Sequence, residues 1–279
     1  IYDLGGRMSQ NNDPLICREE GDIAFIEINR PDVKNALNLE CWQLLDKYCD
    51  GLMDDNKIRV LVITGRSDDI FSAGVDVTPT DPFIAGMFEA LQNRDKAKLV
   101  KGFAAMQAVV SKLARLPIPT VAAINGLCYG GAVELAAACD IRVIKEGAVM
   151  CLQEARLGLI PDFGGTVRLS RLIGPARAKE LIFTARRILP DEAKALGLVS
   201  HIFPAENFIS HLSEYVKSIT ANGPRALAVV KEICDTTLAM AENQALEFEH
   251  ERAAENILSG QCIEGISAFL EKRAPKWQS

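Results

Sequence analysis

Apolar runs that end in glycine recur between Asp22 and Phe203, and segments with helical periodicity separate them. The clearest runs are RVLVITG (Arg59–Gly65) and TVAAING (Thr120–Gly126). A strand buried on both faces has such a nearly continuous apolar sequence, because helices cover both faces of a parallel sheet. The alternation therefore predicts an α/β fold, either a sheet flanked by helices or a wound β/α spiral.

The other segments divide into a strand-containing core and a helical C-terminal region. Asp22–Asn29 alternates apolar and polar residues as a half-buried strand does, and residues 141–151 and 197–203 contain further candidate strands. From Glu206 to Leu270 only helical patterns occur, with a break at Gly223–Pro224. Helical stripes within the core occupy Leu39–Met53, with Asn38 as a candidate N-cap, Lys101–Leu116 and Ala176–Ala185.

Charge and hydropathy exclude several classes of function. The net charge of −6 and the pI of 5.3 argue against a nucleic-acid partner, because phosphate binding needs a basic face. The most obvious basic cluster, EKRAPK (271–276), is either solvated surface or a phosphate contact. The longest apolar tract, 120–139, is broken by Asn125, by Gly130–Gly131 and by Glu134, so we expect no membrane-spanning helix. The N-terminal residues show no basic segment followed by an apolar core, so we expect no secretory signal.

The cysteines and histidines indicate the compartment and the absence of a metal site. The eight cysteines form no CxxC pair and several lie in apolar runs, which favours a reducing, cytoplasmic location. The three histidines lie far from one another in sequence and from any cysteine pair, so we expect no metal site. Met8 is a candidate natural start, which would make residues 1–7 an upstream extension.

Two adjacent glycines open a buried helical run in CYGGAVELAAACD (Cys128–Asp140). A helix leaves its first N–H groups without internal partners and has partial positive charge at that end. Glycine also lets a ligand approach the backbone closely. The corner at Gly130–Gly131 therefore has the outline of an anion or oxyanion site, although a glycine turn that serves only packing is the alternative.

A second glycine corner strengthens the functional interpretation. FSAGVD (Phe71–Asp76) also follows an apolar strand, so the two corners can direct two backbone N–H groups at one oxygen.

Three acidic residues accompany these corners. Glu134 shares a helix face with Gly131, and QEARLGLIPDFGG (Gln153–Gly165) brings Glu154 and Asp162 around another glycine corner. On a surface such acids would be unremarkable. Beside an oxyanion site they can act as general acid and base, with pKa values separated by burial and mutual repulsion.

These motifs, in this order, resemble the crotonase superfamily and within it the enoyl-CoA hydratase/isomerase family. The resemblance implies a crotonase-like spiral of ββα turns over residues 14–202, followed by a C-terminal helical oligomerisation region, 203–279. The motifs that carry it are INRPDVKNALN (Ile28–Asn38), FSAGVD, INGLCYGGAVELAAACDIRV (Ile124–Val143), QEARLGLIPDFGGTVRL (Gln153–Leu169) and the basic tail.

The resemblance also implies a role for each matching catalytic position. The backbone N–H groups of Val75 and Gly131 would form the oxyanion hole for an acyl-CoA thioester. Glu134 matches the residue that deprotonates water for attack at C3, and Glu154 matches the residue that gives a proton to C2. Because both glutamates are present, we expect an enoyl-CoA hydratase, which adds water syn to a 2-enoyl-CoA and gives a 3-hydroxyacyl-CoA.

Asp162 supports an alternative function. Family hydratases often have glycine at this position, whereas some double-bond isomerases use an acid there as the shuttling base. An enoyl-CoA isomerase with Asp162 or Glu154 as proton shuttle is therefore the second candidate, unless Asp162 only caps the next turn, 163–166. A third class, an acyl-CoA- or RNA-binding scaffold on the same fold, is disfavoured by the acidic charge and by both glutamates.

The acyl-CoA substrate defines the remaining expectations. Since coenzyme A is part of the substrate, no separate cofactor is expected. The stretch from 77 to 119 is longer than in short-chain hydratases of this family, so residues 78–100 would either enlarge the acyl pocket or cover it as a lid. The expected substrate contacts are Lys34, Ala36, Leu37, Ala73, Gly74, Asp76, Val77, Gly130 and Lys272.

The family assembles as trimers or dimers of trimers, so we expect a homotrimer or homohexamer with no membrane or nucleic-acid partner. In the C-terminal region, the apolar positions expected at subunit contacts are Ile209, Leu212, Tyr215 and Val216.

Overall fold

The computed structural model describes residues 12–277, so Met8 and the segment 1–7 lie outside the described residues. Within that range the strands are β1 (Leu15–Glu20), β2 (Ile23–Ile28), β3 (Val60–Gly65), β4 (Ile70–Ser72), β5 (Thr120–Ile124), β6 (Leu127–Tyr129), β7 (Ile141–Lys145), β8 (Val149–Cys151), β9 (Arg187–Ile188) and β10 (His201–Phe203). The α-helices are α1 (Leu39–Met53), α2 (Pro82–Gln92), α3 (Lys96–Ala114), α4 (Gly131–Ala137), α5 (Gly165–Ile173), α6 (Pro175–Thr184), α7 (Pro190–Ala195), α8 (Phe208–Thr220), α9 (Pro224–Thr237), α10 (Glu242–Leu258) and α11 (Gln261–Leu270).

A repeating order of long strand, short strand and helix builds the core. The chain runs from β3 and β4 into α2 and α3, from β5 and β6 into α4, and from β7 and β8 towards α5. The long strands form a six-stranded sheet in the order β1-β2-β3-β5-β7-β10, and the short strands form a four-stranded sheet in the order β4-β6-β8-β9. This order confirms the predicted spiral of ββα turns with a helical C-terminal region.

The short strands position the site, because the segments that follow them lie side by side. β4 pairs in parallel with β6, and β6 pairs in parallel with β8. Carboxyl ends of parallel strands meet at the same edge of a sheet. The loop 73–76, the corner 130–131 and the segment that begins at Leu152 therefore emerge next to one another.

The glycine that closes β3 has a steric reason. A Cβ atom on Gly65 would lie only 1.9 Å from the carbonyl oxygen of Ile70, at the start of β4. Any larger residue would force the short strand away from the long one. The glycine at the end of this apolar run therefore marks the transition from one sheet to the other.

The larger core lies between the two sheets and the helices, whereas a second cluster covers the outer face of the six-stranded sheet. In that second cluster Leu212 and Val216 of α8 are buried with Val60 and Val62 of β3. The expectation that Leu212 and Val216 lie at subunit contacts was therefore wrong, because they pack on the sheet of their own chain. Ile209 points outward and is 70% exposed.

The last helices contribute little to the core of the chain. α10 has no buried residue among those described, and α11 buries only Ala268. No helix within residues 12–277 combines the length and the apolar sequence that crossing a bilayer requires.

Residues 78–100 form most of a helical hairpin. α2 fills the middle of this stretch, and α3 begins at Lys96 rather than at Lys101 because Asp95 caps it, accepting a hydrogen bond from the N–H of Lys98. The buried carboxylate of Asp81 caps α2 and also accepts a 2.8 Å hydrogen bond from the N–H of Leu39, the first residue of α1. The start of α2 is thus fixed to α1.

Candidate active site

The two glycine corners meet backbone to backbone. A Cβ atom on Gly74, whose φ is +98°, would lie 2.6 Å from the carbonyl oxygen of Tyr129. A Cβ atom on Gly131 would lie 2.8 Å from Cγ2 of Val75 and 3.5 Å from its nitrogen. Only glycine fits both positions without displacing the facing corner.

The N–H groups of Val75 and Gly131 have no acceptor among residues 12–277. Gly131 is the first residue of α4, where a helix leaves its N–H group without an internal partner. Val75 forms a parallel bridge with Leu37, but the hydrogen bonds of that bridge use the Gly74 carbonyl and the Asp76 N–H instead. Two adjacent donors thus remain available to one acceptor.

Glu134 lies in the first turn of α4 with 2% of its surface exposed. Its Oε2 atom accepts a 2.7 Å hydrogen bond from the N–H of Gly165, the first residue of α5. Burial, opposed by that hydrogen bond and reinforced by the charges of Glu154 and Asp162, raises the pKa of Glu134 to about 8. The side chain is therefore held in place while its proton affinity is increased.

Glu154 begins the 3₁₀ helix Glu154–Leu157 that follows β8. Both of its carboxylate oxygens are buried, and neither accepts a hydrogen bond from another described residue. A Cβ atom on Gly130 would lie 3.4 Å from Oε1 of Glu154, so this carboxylate lies against the glycine corner. Burial and, secondarily, the charge of Asp162 raise the pKa of Glu154. A buried carboxyl group without a protein partner can bind water or substrate.

Asp162 lies in the loop before α5, whose N-cap is Gly164 without any side-chain cap. The interpretation of Asp162 as a cap of residues 163–166 was therefore wrong. The Asp162 carbonyl accepts a 2.6 Å hydrogen bond from Nε2 of Gln107 on α3, and burial raises the pKa of the Asp162 carboxyl group.

One cavity of about 190 Å³ brings these groups together. Val75, Gly131 and all three acids line it, as do the predicted residues Ala73, Val77 and Gly130. The other residues of the cavity wall were not predicted from the sequence. The only signal for any of them is the amphipathic pattern of α2. The missed residues are Phe83, Ile84, Met87, Phe103, Gln153, Leu157, Leu159, Ile160 and Phe163.

The predicted coenzyme A contacts divide into two groups. The loop from Lys34 to Leu37 adjoins the Val75 corner, with the Ala73 N–H donating to the Lys34 carbonyl at 2.9 Å and the Leu37 N–H donating to the Gly74 carbonyl at 2.7 Å. Lys272 lies beyond the end of α11 and does not line the cavity.

Asp76 is also absent from the cavity wall, and its contacts explain why. It forms a 2.8 Å ion pair with Arg30, a residue that sequence reasoning missed. Burial alone would raise the pKa of Asp76, but hydrogen bonds from Thr78 and Arg30 outweigh it and hold the pKa below its usual range. Asp76 therefore fixes the loop through Arg30, whose guanidinium also donates to the Ala36 carbonyl.

The described residues also form a second cleft, and they offer no metal site. A larger cleft of about 670 Å³ lies between the six-stranded sheet and α8, and none of the predicted site residues lines it. Within the described part of the chain, no group of three His, Cys, Asp or Glu side chains is arranged to hold a metal ion.

Known proteins are similar to this chain in sequence and in fold. A family model described as enoyl-CoA hydratase/isomerase matches residues 18–279. Methylglutaconyl-CoA hydratase, mitochondrial, from Rattus norvegicus is 36% identical over 269 residues, covering 93% of this chain and 80% of that protein. The short-chain-enoyl-CoA hydratase of Clostridium acetobutylicum is 34% identical over 269 residues, which cover 95% of this chain and 97% of that protein.

One solved structure is similar to this chain in both fold and sequence. The crystal structure of an enoyl-CoA hydratase from Bacillus anthracis has a TM-score of 0.86 at 32% identity, covering 95% of this chain and 98% of that one. The ββα spiral, the paired glycine corners and these matches lead to one conclusion. The chain belongs to the enoyl-CoA hydratase/isomerase family of enzymes.

Proposed function

We propose that the protein is an enoyl-CoA hydratase that adds water syn across a 2-enoyl-CoA double bond to give a 3-hydroxyacyl-CoA. The observation that carries this proposal is that Glu134, Glu154 and the two glycine corners line the same cavity. Hydration needs two proton-transfer groups beside one thioester site, and Glu134 and Glu154 are suited to these two roles.

In this mechanism the thioester oxygen binds between the N–H groups of Val75 and Gly131. Negative charge grows on that oxygen as water attacks C3 and the thioester becomes enolate-like. Donors that have no other acceptor cost no rearrangement at that moment and bind the developing charge more strongly than the ground-state carbonyl. They would thereby lower the barrier.

The two glutamates transfer protons in opposite directions. Glu134 takes a proton from water as the oxygen attacks C3, and Glu154 gives its proton to C2, so the pair gains one proton and loses one. Neighbouring acids whose pKa values are both raised titrate as a pair. The form that hydration needs, with Glu134 ionised and Glu154 protonated, becomes populated as the pH rises towards the Glu134 pKa of about 8. The Gly165 hydrogen bond orients Glu134, whereas the unpartnered Glu154 carboxyl group is free to reach the substrate.

A double-bond isomerase is the second candidate function, and one observation favours it. Asp162 lines the cavity beside the two glutamates rather than capping α5. An isomerase moves one proton between two carbons of a 3-enoyl-CoA and requires no attacking water. Asp162 or Glu154 would then be the proton shuttle.

Coenzyme A binding and assembly complete the proposal. The loop residues Lys34 and Leu37 would contact coenzyme A, with Lys272 as a candidate phosphate contact, and the reaction needs no separate cofactor. A homotrimer or homohexamer would cover the exposed apolar side chains of α10 and α11, which are Leu246, Ile257, Leu258, Ile263, Ile266, Phe269 and Leu270. The free cysteines among the described residues suit a reducing compartment, for which we propose the cytoplasm.

The test separates the two chemistries by the fate of water. The purified protein is incubated with matched 2-enoyl-CoA and 3-enoyl-CoA thioesters in isotopically labelled water. A hydratase converts the 2-enoyl substrate into a 3-hydroxyacyl product that carries the labelled oxygen. Conversion of the 3-enoyl substrate into an unlabelled 2-enoyl product, without hydration, would overturn the proposal in favour of the isomerase.

A further inference from the structure

The cavity beside the glycine corners has an unbalanced charge. Three carboxyl groups line it, those of Glu134, Glu154 and Asp162, and no Lys, Arg or His side chain of residues 12–277 does so. The one other polar side chain in its described lining is Gln153. The acids already repel one another, since the negative charge of Asp162 raises the pKa of both Glu134 and Glu154.

Arg168 is a cation near this cavity, but its hydrogen bonds hold it behind the wall. Its guanidinium donates at 3.0 Å to the Phe163 carbonyl and at 3.0 Å to the Ser111 hydroxyl, which ties α5 to α3. Its charge also interacts with Glu134. Arg168 is therefore already engaged and does not face the space that an acyl chain would occupy.

The far wall of the cavity is apolar. Phe83, Ile84 and Met87 come from α2, and Phe103 comes from α3. Because the Asp81 carboxylate fixes the start of α2 to α1, this wall is held in place rather than hinged at that end. An acyl chain that extends past the two glutamates would thus meet aromatic and aliphatic side chains.

We propose that this active site selects 2-enoyl-CoA thioesters whose acyl chain is uncharged, and rejects those with a carboxylate beyond C3. The proposal rests on the hydratase function proposed above and adds its substrate class. A carboxylate buried against an apolar wall loses its hydration without gaining a partner, and whichever of the three acids is ionised repels it. An uncharged chain of the same shape incurs neither penalty, so discrimination comes from repulsion as well as from fit.

An isosteric pair of substrates tests the charge directly. Glutaconyl-CoA, which has a terminal carboxylate, is compared with the thioester in which that carboxylate is a primary amide, and 2-hexenoyl-CoA serves as the apolar reference. We expect kcat/KM for hydration of the amide to exceed that of the acid by about 100-fold or more, given the size of like-charge penalties. Equal kcat/KM values for acid and amide would overturn the inference and leave the hydratase function intact.

Binding of unreactive analogues keeps the inference testable without turnover. Calorimetry compares glutaryl-CoA with its terminal amide, both of which lack the double bond. We expect the acid to bind at least about tenfold more weakly. If the amide binds better but no enoyl thioester is hydrated, the selectivity stands and the hydratase function fails.

A designed cation supplies the converse test. Met87→Lys places a positive charge on the apolar wall, and Met87→Gln is the uncharged control of similar length. We expect Met87→Lys to narrow the ratio of amide to acid kcat/KM by at least about tenfold relative to Met87→Gln. The same ratio in both variants would contradict a selection by charge.

Discussion

Oε2 of Glu134 lies 2.7 Å from the backbone nitrogen of Gly165 and accepts its hydrogen bond. This contact joins α4 to α5, so the glycine corner before α5 determines where the carboxylate points. Glu154 has no comparable contact to another described residue. The two acids of the proposed mechanism are thus held differently, one by backbone and the other by packing alone.

The first prediction concerns this contact. A Cβ atom on Gly165 would lie 2.5 Å from Cγ and 2.6 Å from Oε2 of Glu134, so Gly165→Ala must displace the carboxylate. A misplacement of about 1 Å can lower a rate by about 100-fold, and we expect a fall of that size in kcat for hydration. Gly86→Ala on α2 is the matched control, because its Cβ atom would meet nothing within 4 Å. Equal activity of the two variants would show that Gly165 does not position Glu134.

The second prediction isolates one oxyanion donor. In a Val75→Ala background, which removes the Cγ2 atom that a Cβ on Gly131 would approach to 2.8 Å, Gly131→Pro is compared with Gly131→Ala. Proline is tolerated at the first position of a helix but lacks the N–H group. We expect kcat for the proline variant to be about 10²–10³-fold below that of the alanine variant, as for loss of a single donor. A difference of only a few-fold would contradict the role of this N–H.

The third prediction follows from the proton affinity of Glu134. Its pKa is raised from 4.5 to about 8, chiefly by burial, so between those values the native protein holds a proton that the unfolded chain has released. The free energy of unfolding should therefore fall as the pH rises through this window. Urea denaturation between about pH 5 and pH 8 should show a flatter dependence in Glu134→Gln.

An exposed acid provides the comparison. Glu249→Gln on α10 should keep the slope of the unmodified protein, since Glu249 is exposed. If Glu134→Gln and Glu249→Gln retain the same slope, the burial of Glu134 does not govern its protonation.

The fourth prediction concerns the anchor of the acyl wall. The Asp81 carboxylate accepts hydrogen bonds from the N–H groups of Leu39, Phe83 and Ile84, whereas exposed Asp95 accepts one from Lys98. We expect Asp81→Ala to lower the free energy of unfolding by about 2 kcal/mol and Asp95→Ala by about 0.5–1 kcal/mol. Asp81→Ala should also raise KM for acyl substrates. Similar losses of stability in both variants would show that the link to α1 adds nothing.

Some elements were predictable because local chemistry determines both of their ends. Helix α1 has the predicted bounds, and Asn38 accepts the expected capping hydrogen bond from Cys41 at 3.0 Å. The strands β4 and β6 span three residues each, which is too short for an alternating pattern to appear. Their positions depend on pairing with each other rather than on their own sequence.

The site was predictable where a motif defines it and unpredictable where packing does. Glycine corners and their neighbouring acids stand out in sequence, and residues of both corners line one cavity together with the three acids. The amphipathic pattern of α2 gives no indication of which partner its apolar face meets, so Phe83 and Met87 were missed. For Asp162, capping and cavity lining depend on the path of the loop, which the sequence alone leaves open.

The most direct test of the central claim measures how the three acids divide the work. Glu134→Gln, Glu154→Gln and Asp162→Asn are each assayed on matched 2-enoyl-CoA and 3-enoyl-CoA thioesters. If two glutamates carry out hydration, each glutamate variant should have a kcat on the 2-enoyl substrate that is lower by about 10²-fold or more, the usual size of a general acid–base contribution. Asp162→Asn should change this kcat little. Loss of the main activity in Asp162→Asn, with Glu134→Gln still active, would contradict the hydratase and establish Asp162 as the base of an isomerase.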